Sequence, residues 1–583
     1  MVVRERDAVC ETGHPSAVGR TRKRSIWLGR STADPTRALT SQTMSSDQTR
    51  REFIATAAAT ALPALVPAAI AREILNATPN RSSIDDDLLE VTITRLGELY
   101  ATKKYTVSQV TRWYLDRIAK YDGVYRALIH VETAGALATA GRLDAEAARG
   151  GARGAMWGVP MVIKANTSIK GLVTSAGWWG YVIPGHELVA PTDATIVAKL
   201  KAAGVVILGQ TNMPDFAASD TNFSSAFGRT GNAYDVRFSP GGSSGGTVTA
   251  VTANFAVLGN GTDTGNSIRM PAATSSVVGV LPTRGLVSIA GIHPLDWLRD
   301  NTGPIARSVT DAAIALGVMA GEDPKDFRTK DSSANAQRGP YTQYLRADAL
   351  AGKRFGVPAF ILNGHSAGPA LQPDTRELFM KAVDEMRAAG ATVLIDDAIL
   401  PDSFAAMTNG INTGPYSGEG TETFLRDYGP AEYHSAAEYA LAVGTQLPAV
   451  ARGGNGARAL ETDPEAENIF WGPQRRAVAA YDEGLDRLHL DGYVYPAIQM
   501  PPNDETIDLR AGGRSGGPHS ATAWVNPLGV PAVSVPAGFY ANGMPFGLEL
   551  SAKRWKDGDL LGWAFGYEQA TKHRKPPTLV ERR

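Results

Sequence analysis

Two glycine-rich turns decide the fold of this chain: Ser239-Pro-Gly-Gly-Ser-Ser-Gly-Gly246, and then Gly259-Asn-Gly-Thr-Asp-Thr-Gly-Asn-Ser-Ile-Arg-Met-Pro271. An apolar, helix-like run separates them. Glycine adds no side chain to a core and loses much backbone entropy on folding, so packing does not explain this concentration of glycines. The turns instead predict backbone that lies close to a ligand. A flexible Gly/Ser loop is the plain alternative, but it leaves the second turn, which carries Ser267, unexplained.

Short apolar runs alternate with amphipathic runs on both sides of these turns. Residues 85–150 show helical periodicity, and the strand-helix-strand rhythm begins after them. Strands are predicted at 159–163, 205–208, 354–357, 392–395, 493–495 and 532–535, and helices at 195–203 and 375–389. No fixed repeat and no Pro/Ser-rich linker divides this part of the chain. We therefore expect an α/β fold, a single large domain with a central mixed β-sheet covered by helices on both faces.

The composition is that of an ordinary globular protein. Of the 583 residues, 43% are hydrophobic and 20% charged, and 58 basic against 59 acidic side chains give a net charge of -1. This balance indicates no nucleic-acid partner and no anionic membrane surface. The single cysteine, Cys10, excludes an internal disulfide and a thiolate zinc site. Since no His, Cys or carboxylate ligands stand at metal spacing, we expect no metal and no cofactor.

Three common motifs fit the glycine-rich turns poorly. Gly241-Gly-Ser-Ser-Gly245 matches the nucleophile elbow of α/β-hydrolases in form, but that elbow must follow a strand, and residues 237–240 make a poor one. A phosphate-binding loop needs a lysine, and neither turn contains one. Gly259 and Gly261 begin a dinucleotide fingerprint that lacks its last glycine.

Residues 239–288 closely resemble the signature segment of the amidase signature family of serine hydrolases. The resemblance extends to four further segments, Gly158-Val-Pro-Met-Val-Ile-Lys-Ala-Asn166, Gly209-Gln-Thr-Asn-Met-Pro-Asp-Phe216, residues 526–539, and Pro545-Phe-Gly-Leu-Glu-Leu550. It covers about residues 85–575 and implies the fold of that family. The implied activity is hydrolysis of a carboxamide through an acyl-enzyme, which releases ammonia or an amine.

The family uses a Ser–cis-Ser–Lys triad, and each member has a counterpart here. The resemblance assigns Lys164 as general base, Ser243 as bridging serine and Ser267 as nucleophile. A serine hydroxyl becomes a good nucleophile only when a base takes its proton. A lysine serves as that base only when neutral, and burial lowers its pKa from about 10.4. Lys164 ends the apolar run 159–163, which is a suitable setting for a buried amine.

The resemblance also assigns the residues around the triad. Backbone N–H groups of four residues would form the oxyanion hole: Thr264, Gly265, Asn266 and Ser267. Four more residues would support the loops: Gly242, which eases a cis peptide before Ser243, and Ser244, Asp263 and Arg269, which would hold the loops by hydrogen bonds. Two positions depart from the family. Asn266 replaces a glycine, which it can do because asparagine tolerates positive φ. Ala165 replaces an aspartate, so a supporting contact is expected to be missing.

The N-terminal region has the pattern of a twin-arginine export signal. Arg50 and Arg51 follow Met44, and an uncharged run then ends in Ala69-Ile70-Ala71, the small-x-small pattern of a cleavage site. A membrane-spanning helix is the alternative, disfavoured by Pro63 and Pro67. The predicted organisation is an upstream extension outside the native protein at 1–43, a signal peptide at 44–71, a linker at 72–84, the amidase domain at 85–575 and a tail at 576–583. We expect a periplasmic or extracellular protein with no stable membrane anchor after processing.

The function expected from these observations is that of an exported amidase acting on a small-molecule amide. Two alternatives remain, an exported non-catalytic binding protein on an amidase scaffold and the amide-transfer subunit of a tRNA amidotransferase. Export would separate the second from tRNA. The type of amide stays open, because substrate choice is expected to depend on the segments 406–416 and 511–519, which contain no motif. The oligomeric state also stays open.

Overall fold

The computed structural model describes residues 83–581, except 152, 365–369, 402, 453–457, 509, 511–516 and 519–521. The predicted extension, the signal peptide and most of the linker lie outside the described residues. Within the described part, the first helix begins at Ser83, two residues before the predicted start of the domain. No helix of this part has both the length and the apolar character needed to cross a bilayer.

An 11-stranded mixed sheet forms the centre of the fold, with strand order β1-β3-β2-β6-β8-β7-β12-β13-β11-β9-β10. The strands are β1 Leu128–Val131, β2 Pro160–Lys164, β3 Val206–Thr211, β4 Phe223–Ser224, β5 Gly228–Arg229, β6 Leu258–Asp263, β7 Val278–Leu281, β8 Asn301–Ala306, β9 Arg354–Pro358, β10 Thr392–Asp396, β11 Gly492–Pro496, β12 Ala532–Phe539 and β13 Pro545–Ser551. Strands β4 and β5 form a separate two-stranded sheet. The β2–β3, β2–β6, β9–β10 and β9–β11 pairs are parallel, and the remaining pairs are antiparallel.

The α-helices are α1 Ser83–Leu88, α2 Ile93–Ala101, α3 Val107–Tyr125, α4 Thr133–Ala148, α5 Thr195–Ala202, α6 Gly245–Thr252, α7 Arg269–Ala273, α8 Val309–Met319, α9 Ser332–Asn335, α10 Phe360–Asn363, α11 Pro373–Ala388, α12 Phe404–Asn409, α13 Ser417–Tyr428, α14 Ala436–Val443, α15 Ala449–Arg452, α16 Gly472–Arg487, α17 Val525–Leu528 and α18 Asp557–Thr571. Single turns of 3-10 helix lie at 179–181, 215–217, 327–329, 341–344 and 414–416, and a π-helical turn at 467–471.

Helices cover both faces of the sheet, as strand β11 shows. Val494 belongs to the large apolar cluster that contains side chains of α3, α8, α11 and α18. Its neighbours Tyr493 and Tyr495 belong to a second cluster, formed with side chains of α12 and α16. Because successive side chains of a strand point to opposite faces, the two clusters lie on opposite sides of the sheet at β11. This confirms the predicted fold class.

One predicted element is wrong in type. Helical periodicity was expected throughout 85–150, but residues Leu128–Val131 form the edge strand β1, antiparallel to β3. This strand has four residues, is only partly buried, and is interrupted by the exposed His130, so its apolar run is too short to stand out from the helices on either side. The alanine-rich helix expected between Gly123 and Gly154 is α4, which begins after the strand.

The register of the sheet places the glycine-rich turns beside Lys164. Strands β2 and β6 are parallel neighbours, with Met161 opposite Leu258, so their carboxyl ends lie at one edge of the sheet. Lys164 is the last residue of β2, and Asp263 is the last residue of β6. Residues 259–263 of the second glycine-rich stretch belong to β6 itself, and the turn that carries Ser267 follows directly. The first glycine-rich turn leads into α6, which packs against β2 and β6.

Candidate active site

Three hydroxyl groups surround the side-chain amine of Lys164, which is fully buried. Its Nζ donates to Ser243 Oγ at 2.8 Å, to Ser244 Oγ at 3.0 Å and to Thr262 Oγ1 at 2.8 Å. The backbone N–H of Lys164 donates to Asn260 Oδ1 at 2.9 Å, which ties the end of β2 to β6. The amine therefore has hydrogen-bond partners for all three of its protons, and no carboxylate of the described residues contacts it.

This environment changes the protonation of the amine. Burial lowers the pKa of Lys164 to about 7, against a weaker opposing effect of Asp263 and Asp300. Removal from water disfavours the ammonium form, and hydroxyl groups compensate a charge less than a carboxylate would. Near neutral pH a large fraction of Lys164 is thus a neutral amine with a free lone pair, which can accept a proton from a bound hydroxyl group.

Ser243 lies in the first glycine-rich turn with its side chain fully buried. The peptide bond between Gly242 and Ser243 is cis, as the resemblance implies. A Cβ atom at Gly242 would collide with the carbonyl oxygen of Thr221, and one at Gly246 would collide with the backbone of Asn212. Close approach of backbone segments therefore explains two glycines of this turn.

Ser267 lies in the second glycine-rich turn, between β6 and α7, and is 6% exposed. Its hydroxyl group has no hydrogen-bond partner among the described residues, so the link from Ser243 to Ser267 is not formed in this structure. Ser267 lines a cavity of about 600 Å³ together with Thr264, Gly265 and Asn266. Of the three proposed triad members, Ser267 is thus the one that a substrate in the cavity can reach.

The turn that carries Ser267 presents backbone N–H groups. Those of Gly265, Asn266 and Ser267 donate to no other described residue, whereas the carbonyl oxygen of Asn266 accepts from Met270 at 2.9 Å. The carbonyl oxygen of Gly265 accepts from the Arg269 guanidinium. The carbonyl oxygens of Gly265 and Asn266 thus have partners within the protein, whereas the three N–H groups remain available to donate to a bound oxyanion.

Comparison with known families assigns the chain. The family model described as Amidase matches residues 109–561. The chain belongs to the amidase signature family. The enzyme is a hydrolase that acts on amide C–N bonds.

Individual relatives agree with this assignment. A relative from Alkaliphilus metalliredigens, one of the subunits of glutamyl-tRNA(Gln) amidotransferase, is 31% identical over 509 residues, which cover 82% of this chain and 96% of the relative. Among solved structures, peptide amidase from Stenotrophomonas maltophilia matches with a TM-score of 0.70 and 31% identity, over 84% of this chain and 99% of that chain. An amidase family protein from Bacillus anthracis matches with a TM-score of 0.69 and 27% identity, over 88% and 97%.

A buried ionic cluster holds the turn that carries Ser267. The Arg269 guanidinium donates to Asp263 at 3.1 Å and to Glu549 at 2.5 Å. Burial alone would lower the pKa of Arg269, but the two carboxylates raise it above its ordinary value. Asp263 also accepts the backbone N–H of Ile268 at 3.1 Å. Asp263 and Arg269 thus hold the turn by hydrogen bonds, while Ser244 contacts the lysine amine directly.

Sequence reasoning missed three residues of this site: Thr262, Glu549 and Asp300. Thr262 is a direct partner of Lys164, and Asn260 is its neighbour on the same face of β6. Two polar residues at alternate positions of a fully buried strand are a signal that could have identified Thr262. Asp300 accepts from Thr264 Oγ1 at 2.5 Å, and burial raises the pKa of Asp300 to about 7.

The two departures from the family pattern have simple structural outcomes. Asn266 does not adopt a positive φ, so the backbone here does not require glycine. Ala165 is fully buried and packs with Met213 and Ala217, in a small apolar cluster beside the site.

The cavity includes one residue of the two segments expected to govern substrate choice. From the segment 406–416, Gly414 lines it. Of the segment 511–519, only residues 517 and 518 lie within the described part of the chain.

Proposed function

We propose that the enzyme hydrolyses a carboxamide through an acyl-enzyme on Ser267. Neutral Lys164 accepts a proton from Ser243, Ser243 takes the proton of Ser267, and the Ser267 oxygen attacks the amide carbon. The N–H groups of Gly265, Asn266 and Ser267 stabilise the resulting oxyanion. When the C–N bond breaks, the proton returns from Lys164 through Ser243 to the leaving nitrogen. Water then attacks the acyl-enzyme by the same relay and releases the carboxylic acid.

One observation carries this proposal: a fully buried lysine donates to Ser243 at 2.8 Å, and burial lowers its pKa to about 7. A buried lysine with a purely structural role would be stabilised as an ammonium ion by a carboxylate partner. Lys164 contacts three hydroxyl groups instead. General bases work best when their pKa lies near the working pH.

A fluorophosphonate probe for active serines tests the assignment of the nucleophile. The wild-type enzyme should be labelled at Ser267, and Ser267→Ala should lose both labelling and amide hydrolysis while keeping its thermal unfolding transition. Ser219 lines the same cavity, so Ser219→Ala is the matched control and should still be labelled. Labelling that persists in Ser267→Ala would show another nucleophile, and no labelling of the wild type would favour a non-catalytic binding protein.

An amide-transfer role is the second candidate, favoured by the relatives named as part of glutamyl-tRNA(Gln) amidotransferase. A protein with that role would release ammonia from glutamine for a partner. Turnover of a panel of aliphatic amides, anilides and peptide amides by the isolated chain supports the amidase. Hydrolysis confined to glutamine, and stimulated by a partner protein, would support the alternative.

We also propose that translation begins at Met44 and that the protein is exported by the twin-arginine route. The support is the Arg50-Arg51 pair ahead of an uncharged run that ends at Ala71. Protein expressed from Met44 should be processed near Ala71 and recovered outside the cytoplasm. Replacement of both arginines by lysine should retain it inside. Peptides from residues 1–43 in the native protein would refute the start site.

A further inference from the structure

Arg299 is a cation in the wall of the cavity that contains Ser267. It lies in the segment before β8, between Asp296 and Asp300, and is half-buried. Its side chain and that of Ser267 line the same cavity of about 600 Å³. Arg299 has no role in the proposed mechanism.

The guanidinium of Arg299 lacks a partner. Its Nε is buried and unpaired, and the side chain makes no hydrogen bond or ion pair with any described residue. Two neighbouring arginines differ in this respect. Arg328 pairs with Asp326 at 2.8 Å, and Arg284 donates to backbone oxygens and to Asn526 Oδ1. A guanidinium is a set of donors in a fixed fork, and a buried donor left unpaired is costly. The buried Nε of Arg299 therefore lacks an acceptor among the described residues, and its guanidinium is open to an acceptor supplied from outside the chain.

The arginines close to Arg299, rather than the cavity lining as a whole, favour an anionic acceptor. Asp220 and Asp296 also line the cavity, but each already accepts from the chain: Asp220 from the backbone N–H of Gly517 at 2.9 Å, and Asp296 from that of Leu298 at 3.2 Å. Neither pairs with Arg299. Burial and the positive charges of nearby arginines, Arg299 among them, together lower the pKa of Arg284 to about 9. A negative charge at Arg299 would relieve this crowding of positive charge.

We propose that Arg299 binds a carboxylate of the substrate, so that the preferred substrates are amides that carry a carboxylate group. This inference rests on the proposed amidase function and narrows its substrate class. The planar fork of arginine matches a carboxylate through two parallel hydrogen bonds. With Ser267 and Arg299 in one cavity, the amide carbon and the carboxylate of a small substrate are held at two separate points. Arg299 is thus a specificity-determining residue and takes no part in the proton relay.

Two pairs of isosteric substrates test this specificity. Succinamate carries its carboxylate on the acyl side, and 4-methylpentanamide replaces that carboxylate by an isopropyl group. Hippurate carries its carboxylate on the amine side, and N-isobutylbenzamide is its uncharged counterpart. We expect kcat/KM of the wild type to favour the charged member of at least one pair. Arg299→Gln should lower kcat/KM for that member by about 10- to 100-fold, mostly through KM, and leave the uncharged one within about twofold. Arg299→Lys should recover part of the loss, and Arg346→Gln, at an exposed arginine on the surface, should change neither.

Binding without turnover separates this inference from the proposed function. Calorimetry with succinate and with hippurate, on Ser267→Ala and on the Ser267→Ala/Arg299→Gln double variant, tests the carboxylate site even if the enzyme hydrolyses neither pair. Binding that is lost in the double variant supports the inference. Equal binding by both variants, no binding by either, or a preference for charged amides that survives Arg299→Gln would overturn it. Failure of Ser267 labelling, by contrast, would refute the acyl-enzyme mechanism alone.

Discussion

The pH dependence of the reaction is the most direct test of Lys164 as the base. Burial lowers the pKa of this lysine from 10.5 to about 7, a shift that corresponds to about 5 kcal/mol against the ammonium form. At pH 7 about half of the enzyme would then hold a neutral amine, against about one molecule in 3000 for an unperturbed lysine. The predicted kcat/KM rises about tenfold per pH unit below pH 7 and reaches a plateau above pH 8.

The assay is initial-rate release of ammonia or amine from a neutral amide between pH 5 and pH 10. A neutral substrate is needed so that its own ionisation does not contribute. Lys164→Ala should lose about 10²- to 10⁴-fold in kcat and lose the rise with pH as well. Lys164→Arg should fare no better, because arginine stays protonated and cannot accept a proton.

Asp300 provides the control for the assignment of this rise, because burial also raises the pKa of Asp300 to about 7. The Asp300 carboxylate raises the pKa of Lys164. Asp300→Asn should therefore keep the rise in activity and move its midpoint to lower pH. A rise that disappears in Asp300→Asn, or near-normal turnover of Lys164→Arg, would refute the reasoning, since Lys164 would then act only as a positive charge.

Three further predictions concern the surroundings of the lysine. Thr262→Val removes one of the three acceptors of the Lys164 ammonium form, so the activity midpoint should move to lower pH; a shift to higher pH would contradict this contact. Arg269→Met leaves the buried Asp263 and Glu549 without their cation and should lower the free energy of unfolding by about 3–5 kcal/mol, measured by denaturant titration against Arg346→Met as a surface control. Prolonged EDTA treatment should leave activity unchanged, because the described residues contain no group of three or more potential His, Cys, Asp or Glu metal ligands; a loss restored by one divalent ion would refute this.

The sequence indicated the strands of the sheet and the candidate triad residues, but not the hydrogen bonds and ion pairs that connect distant segments. Apolar runs located β2, β3 and β9 to within a few residues, because buried strands leave a continuous hydrophobic signal. The edge strand β10 was also located, although it is only partly buried. The edge strand β1 left no such signal, being short and partly exposed. The resemblance to the family, carried by the glycine-rich turns and the neighbouring motifs, singled out Lys164, Ser243 and Ser267, and the structure brings Lys164 and Ser243 into hydrogen-bond contact.

Contacts between segments far apart in the chain could not be predicted from the sequence. Glu549 lies 280 residues from Arg269, and the two side chains pair only because β13 and the turn that carries Ser267 meet in the fold. The same holds for Arg299, which belongs to no motif. The proposal that it binds substrate rests on its having no partner among the described residues. A sequence does not show which arginines are paired. Motifs therefore identify the chemistry of the site, and only the three-dimensional contacts identify the groups that adjust it.

The arrangement of charges explains how one lysine can be both buried and useful as a base. A carboxylate in contact with the amine would hold it as an ammonium ion, and two carboxylates, Asp263 and Asp300, lie close enough to raise its pKa. The fold gives each of them another partner: Asp263 pairs with Arg269 at 3.1 Å, and Asp300 accepts from Thr264 at 2.5 Å. Only hydroxyl groups are left to contact the amine, so burial determines its pKa. Arg269 and Thr264, which belong to the turn that carries Ser267 or adjoin it, are thus also the partners that bind these two carboxylates, so that neither carboxylate contacts the amine of Lys164.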